Sequence, residues 1–588
     1  MTIKSLLLSR LRSAITIERT VSVFKVIVTA SEELKCDVRL RIESGWVCGL
    51  LRRAEDGGEY ASFRGIPYAE QPLGQLRFKE LQPARPWPHL LDATEEGPVC
   101  PQHDEIYEHL IDPHRGMSEA CIYANIHIPL AALSLAQTRD NSSNYSEHGQ
   151  QGVKKGFPIL VFIHGGGFQA GLSDTDLHGP EYLVNKGIIL ITFNYRINVF
   201  GFLSLNNPKI PGNNGLRDQV TLLRWVQRNA EAFGGDPDDV TLGGQSAGAA
   251  CAHILSLSNA AKGLFKRVIL MSGTAIPSFF TSSPIYANLI ASAFLAYLGI
   301  NATSPDDIHD ALIKTPLEDI LRANTRIQYD FGLVSFTPVV EPPYQGVTRI
   351  LDDTPTNLMI QGRGNELPFL VGFADQECEF FRRRLEYLKF LSRIKINPLL
   401  VLPARIPFST LPNVALQLAE KVIKRYFHEK PSIKDVLQVC RDSFFEYPSF
   451  KLGQLRDEMK AASFYLYQFS YESDYSVVKA GLRLQYKGTA HVEDQTFVLK
   501  DNTILSGEKS LPRSDRDDLM QKLMTTFVVN FMRCNDPTCG SESGWHHLHA
   551  QNLNYLDIND PVLLQNTVPR HDQKDMIQFF DGIEDIAR

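Results

Sequence analysis

Two apolar runs, residues 158–163 and 188–193, the second broken only by Thr192, stand out against an otherwise mixed chain. Runs of this length without polar alternation predict strands buried on both faces, the signature of a parallel sheet covered by helices. A short helix is predicted between them at 180–186, and residues 216–232 repeat apolar positions at helical spacing. A strand at 240–242 then leads into a second helix at 246–257, and further strands are predicted at 268–271, 369–373 and 464–469, separated by long helical insertions. Upstream, residues 38–42 alternate as a half-buried strand and 121–129 read as another, with Pro67, Pro72, Pro83, Pro86 and Pro88 marking turns between. Strand and helix in alternation predict an α/β fold with a mostly parallel central sheet. Residues 1–37 read as an N-terminal extension, 38–588 as one domain, and the polar stretch 137–155 as a surface insertion.

Composition narrows this picture more than it enlarges it. Hydrophobic residues at 43% and charged ones at 22% suit a globular chain with a sizeable core, which excludes a disordered or fibrous protein. The net charge of −7 has no basic stripe to offset it, so a nucleic-acid partner is not expected. No window reaches the roughly 18 to 20 apolar residues that span a bilayer. Lys4, Arg10, Arg12 and Arg19 precede an apolar stretch ending in Val28-Thr29-Ala30, the pattern of a cleaved secretory leader, although Lys25 interrupts it. Secretion is the expectation and a cytoplasmic location the alternative; Asn-x-Ser/Thr acceptors at Asn141, Asn144 and Asn301 favour the former. Nine cysteines leave at least one unpaired; spacing offers two local pairs, Cys100 with Cys121 and Cys534 with Cys539, and leaves open whether the latter forms. The His546-His547-Leu548-His549 cluster has no cysteines nearby and reads as a solvated loop, so no metal site is expected.

The chemistry begins at Gly244-Gln245-Ser246-Ala247-Gly248, a G-x-S-x-G pattern lying between a predicted strand and a predicted helix of small residues. There the turn lifts the Ser246 hydroxyl into a cleft. A hydroxyl is a weak nucleophile until a base takes its proton, and its attack on a carbonyl creates an oxyanion that needs donors. His164-Gly165-Gly166-Gly167-Phe168 follows the strand ending at Ile163, and its bare backbone can aim N–H groups at such a charge. Gly166, Gly167 and Ala247 are the expected donors, with His164 structural. The base should lie downstream of an acid that follows a later strand. His491, in Gly488-Thr489-Ala490-His491, meets that order, while pattern alone leaves Asp375, Glu377 and Glu379 open as the acid.

Further matches appear in order: Phe63-Arg64-Gly65-Ile66-Pro67-Tyr68-Ala69, Arg77-Phe78, Ser118-Glu119-Ala120-Cys121-Ile122-Tyr123-Ala124-Asn125, Gly215-Leu216-Arg217-Asp218-Gln219 and Phe233-Gly234-Gly235-Asp236-Pro237. Together with the serine turn they resemble the type B carboxylesterases, the cholinesterase-like serine hydrolases of the α/β-hydrolase fold. The resemblance implies Glu377 as the acid and His491 as the base, a disulfide between Cys100 and Cys121, and a structural ion pair between Arg77 and Glu119. It also implies hydrolysis of a small hydrophobic ester without a cofactor. Four positions depart from the family pattern, Gln245 among them. Ala120 and Cys378 replace a usual aspartate and glycine, and Ile111 stands at the place of a choline-stacking tryptophan, so a quaternary ammonium ester is not expected.

Gln245 stands where the family often has glutamate, which removes a charge near the histidine. The Gly-Gln-Ser-Ala-Gly spelling is similar to insect carboxylesterases, juvenile hormone esterases among them. A non-catalytic adhesion protein of the same family is the rival class, and the presence of all three triad residue types argues against it.

Overall fold

The computed structural model describes residues 35–587 apart from 55, 105, 108–114, 143–154, 277–279, 333, 475, 503–512 and 541–544. Cys36–Arg588 forms one compact unit. Its centre is a sheet whose strands, in chain order, are β1 (Val38–Ile42), β2 (Gly45–Arg53), β3 (Glu59–Pro67), β4 (Tyr123–Pro129), β5 (Phe157–Ile163), β6 (Ile189–Phe193), β7 (Gly235–Gln245), β8 (Arg267–Met271), β9 (Phe369–Ala374), β10 (Phe464–Phe469), β11 (Tyr555–Ile558) and β12 (Gln565–Thr567). A short thirteenth strand, Leu91–Asp92, lies beside β2. Across the sheet the order is β1-β2-β3-β4-β6-β5-β7-β8-β9-β10-β11-β12. The four N-terminal strands pair antiparallel, as does the last pair, while everything from β6 to β11 is parallel.

Burial explains this division. In β6, Ile-Leu-Ile-Thr-Phe is buried along its whole length, and β8 and β9 are likewise buried throughout. Such strands need covering on both faces. One cover is the amphipathic helix Asn214–Asn229, which sinks Trp225 into the core. Another is Ala247–Leu257, whose eleven residues are all buried; its small side chains let it lie close to the sheet. By contrast β1 alternates buried and exposed positions, as an edge strand with one wet face should.

The predicted strands at 38–42, 158–163, 188–193, 268–271, 369–373 and 464–469 are all present within a residue or two of their expected ends. Strand 240–242 is the buried heart of the longer β7. Two differences concern the N-terminal half. Between the strand at 38–42 and the Pro-punctuated stretch the chain forms two full-length strands, β2 and β3, and the expected insertion begins inside a helix, Leu130–Ser142, with residues 143–154 outside the described part.

Eight of the nine cysteines are paired. Cys100–Cys121 forms as expected, Cys534–Cys539 forms where spacing had left the pairing open, and Cys36–Cys48 and Cys378–Cys440 are additional. Cys251, within Ala247–Leu257, is the free one; burial pushes its thiol up to about 12. Arg77 meets Glu119 in a two-pronged ion pair and donates to the carbonyls of Leu312 and Thr315, which fastens the end of the helix Pro305–Lys314.

Candidate active site

Ser246, Glu377 and His491 all follow the carboxyl ends of parallel strands, where open α/β sheets form their crevices. Ser246 comes directly after β7 and directly before the helix Ala247–Leu257, with φ 57° and ψ −124°. A non-glycine residue holds that conformation only when the surroundings enforce it. Here the turn is wedged against the strand below: a methyl group on Gly248 would stand 2.1 Å from the carbonyl oxygen of Ile163.

The glycine loop leaves the end of β5, one strand away. Gly166 has φ +108°, and a side chain there would run into the carbonyl oxygen of Ala170 at 2.1 Å, so only glycine fits. Its own carbonyl accepts the N–H groups of Gln169 and Ala170, which folds the loop back on itself. Among the described residues no hydrogen bond is recorded from the amides of Gly166 and Gly167, and Ala247 opens its helix, where amides have no intrahelical partner. His164 is buried, stacks on Tyr195 at 4.5 Å between ring centres, and burial lowers it to about 4, so it is a neutral packing residue.

Geometry separates the three acids that spacing left open. Glu377 is fully buried; one carboxylate oxygen accepts the Ala374 amide at 2.8 Å and the other lies 2.5 Å from His491 Nδ1. Asp375 instead accepts the Thr489 amide at 2.7 Å, bracing the loop that carries the histidine. Glu379 turns away to a two-pronged ion pair with Arg382. Acid and histidine are also tied through the backbone, since the His491 amide donates to the Glu377 carbonyl at 3.2 Å and the Gln376 amide to that of Thr489.

The other imidazole nitrogen faces Gln245, whose Nε2 lies 3.0 Å from His491 Nε2. With the Nδ1 proton directed at Glu377, Nε2 carries the lone pair and the amide donates to it. Among the described residues Gln245, rather than the Ser246 hydroxyl, is the hydrogen-bond partner of Nε2. Sequence reasoning placed Gln245 near the histidine as a neutral amide still able to hydrogen-bond, but did not say which ring nitrogen it meets. It also missed the ring of Phe380, Phe381 and Phe445, whose centres lie 5.8, 5.4 and 4.9 Å from that of His491. Asp494, three residues on, is buried and accepts the Tyr467 hydroxyl at 2.8 Å. Burial first, and then the charge of Glu377, raise its carboxyl to about 6.

Among the described residues no group of three or more His, Cys, Asp or Glu side chains could hold a metal ion, and His546, His547 and His549 sit exposed on the surface. Ile111 and Asn144 lie outside the described residues; Asn141 falls in the helix Leu130–Ser142, and Asn301 is exposed between two helices.

A mostly parallel sheet with a serine turn, a glycine loop and a Glu–His pair at its carboxyl end defines an α/β-hydrolase of the ester-cleaving class. Residues 37–579 match the Carboxylesterase family, and the chain belongs to it. It is 47% identical over 542 residues to the juvenile hormone esterase of Heliothis virescens, covering 92% of this chain and 93% of that one. The crystal structure of juvenile hormone esterase from Manduca sexta, with OTFP covalently attached, superposes with a TM-score of 0.87 at 50% identity, covering 93% of this chain and 99% of that one. A thermophilic pNB esterase shares the fold at a TM-score of 0.71 and 24% identity, over 92% of this chain and 99% of its own. The protein is accordingly a serine carboxylic ester hydrolase.

Proposed function

We propose that Ser246 is the nucleophile, His491 its base and Glu377 the acid that orients the base, with a juvenile hormone ester as the substrate. The observation that carries the assignment of roles is the 2.5 Å contact between His491 Nδ1 and Glu377, which leaves Nε2 free to take a proton. Reaction begins when the Ser246 hydroxyl replaces the Gln245 amide as the donor to Nε2. As the serine oxygen attacks the ester carbonyl its proton passes to Nε2, and Glu377 steadies the resulting imidazolium. The amides of Gly166, Gly167 and Ala247 hold the oxyanion. His491 then gives the proton to the departing alcohol. Water repeats the cycle on the acyl-enzyme and releases the carboxylic acid.

Similarity to the two juvenile hormone esterases supports the substrate. It is tested by rates on juvenile hormone and on short-chain aryl acetates side by side. A kcat/KM for the hormone far above that for the acetates is expected, and the reverse order would make this a broad-specificity esterase. Labelling of Ser246 by an organophosphonate tests the nucleophile separately.

The same reading includes residues 1–37 as a leader-bearing extension, 38–588 as a single catalytic domain and Asn301 as a glycan acceptor. Secretion is supported by four disulfides, which persist in oxidising compartments. Among the described residues no helix is long and apolar enough to cross a membrane. N-terminal sequencing and a deglycosylation shift of the exported protein are the checks.

A further inference from the structure

The acid of the site is followed immediately by a cysteine whose bond reaches far along the chain. Cys378 is buried and pairs with Cys440, 62 residues later, at the end of the helix Ile433–Arg441. That helix passes directly into a π-helical turn, Asp442–Glu446, and then into the helix Tyr447–Glu458. A π-turn inserts one extra residue and so re-aims the side chains after it, a device frequent at functional sites. Here it delivers Phe445 onto the face of His491. The turn is fixed from behind, where Arg441 pairs with Asp442 at 2.7 Å and Gln573 donates to Glu446 at 2.7 Å.

Glu377 and His491 are therefore gripped from two sides. On one, the end of β9 and the histidine loop supply the amides of Ala374 and His491. On the other, a covalent bond joins the residue after the acid to the segment that packs on the base.

We propose that the Cys378–Cys440 disulfide, with the π-turn that presents Phe445, is a positioning clamp for the Glu377–His491 pair. This rests on the reading of those two residues as acid and base. The clamp supplies no reacting group: its disulfide adjoins Glu377 and its Phe445 packs on the His491 ring. It acts by keeping the carboxylate and the imidazole in register, where displacement on the scale of an ångström costs up to about a hundredfold in rate.

The test compares the full-length wild type with C378A/C440A and with Phe445→Leu, on one aryl ester, well below the melting temperature. The expected result for both variants is a kcat lower by about tenfold with KM changed by less than about twofold. The far-downfield proton resonance of His491 Nδ1–H should shift or broaden along with it, which a remote staple would not cause. Should C378A/C440A fail to fold, Phe445→Leu carries the same measurements with the disulfide intact. Unchanged kcat and an unmoved resonance would overturn the clamp, even if the melting temperature falls. Glu377→Gln in parallel keeps the two readings apart: if it too is fully active, the acid assignment has failed, and if it is inactive while the clamp variants are not, only the clamp has.

Discussion

The two halves of this site are built by different means. On the Ser246 side the parts are backbone: a strand, one residue in a strained conformation and a helix that are contiguous in the chain, and a glycine loop from the adjoining strand, with contacts so close that methyl groups do not fit. On the acid–base side the parts come from distant segments, Glu377 and His491 being 114 residues apart, and they are joined by side chains, aromatic rings and a disulfide. The first half is fixed by shape, whereas the second depends on ties between segments distant in the chain.

The sharpest contrast lies in removing the proposed nucleophile of one half and the proposed orienting acid of the other. Ser246→Ala should lower turnover of an aryl ester by about four to six orders of magnitude with circular dichroism unchanged. Glu377→Gln should cost about four orders, while Asp375→Asn and Glu379→Gln stay within about tenfold; equal losses at all three would erase the geometric distinction between these acids. Gly166→Ala probes the backbone-built side. The clash with Ala170 should reduce kcat by about a hundredfold or more, and a near-normal rate would show that the glycine loop can give way.

Two smaller effects sharpen the acid–base side. Gln245→Glu exchanges a donor to neutral imidazole for a carboxylate that favours imidazolium, so the acid limb of the kcat/KM profile should move up by about one pH unit. An unmoved limb would dismiss that contact as packing. Asp494, raised to about 6, binds its proton more tightly in the folded state than in the unfolded chain. The stability this lends is complete below about pH 4 and is lost as pH rises through 6. Asp494→Asn should therefore gain on the wild type by about 2 °C in melting temperature between pH 4.5 and 7.5; a constant difference would count against it.

Legibility in the sequence follows the same divide. The parallel strands were readable because burial on both faces leaves apolar runs without alternation, as in 158–163 and 188–193. The serine turn was readable because its strand, glycines and helix are contiguous. Strands β2 and β3 were hidden because Gly49 and Gly65 inside them read as turn residues, and Arg52, Arg53 and Arg64 break the apolar pattern. Among Asp375, Glu377 and Glu379, three carboxylates in five residues, no periodicity says which one faces a histidine that arrives from another strand. The Cys378–Cys440 bond had no local signature at all, because the segments it joins meet only in the folded chain.

The solitary cysteine has a consequence for chemical counting. Cys251 is sealed inside the helix behind Ser246, with its thiolate suppressed, and the other eight cysteines are oxidised. A maleimide offered to the native enzyme therefore has no ready target. Every fluorophore that does attach reports either an opened disulfide or an unfolded molecule, which turns an unmodified sample of this protein into its own integrity gauge.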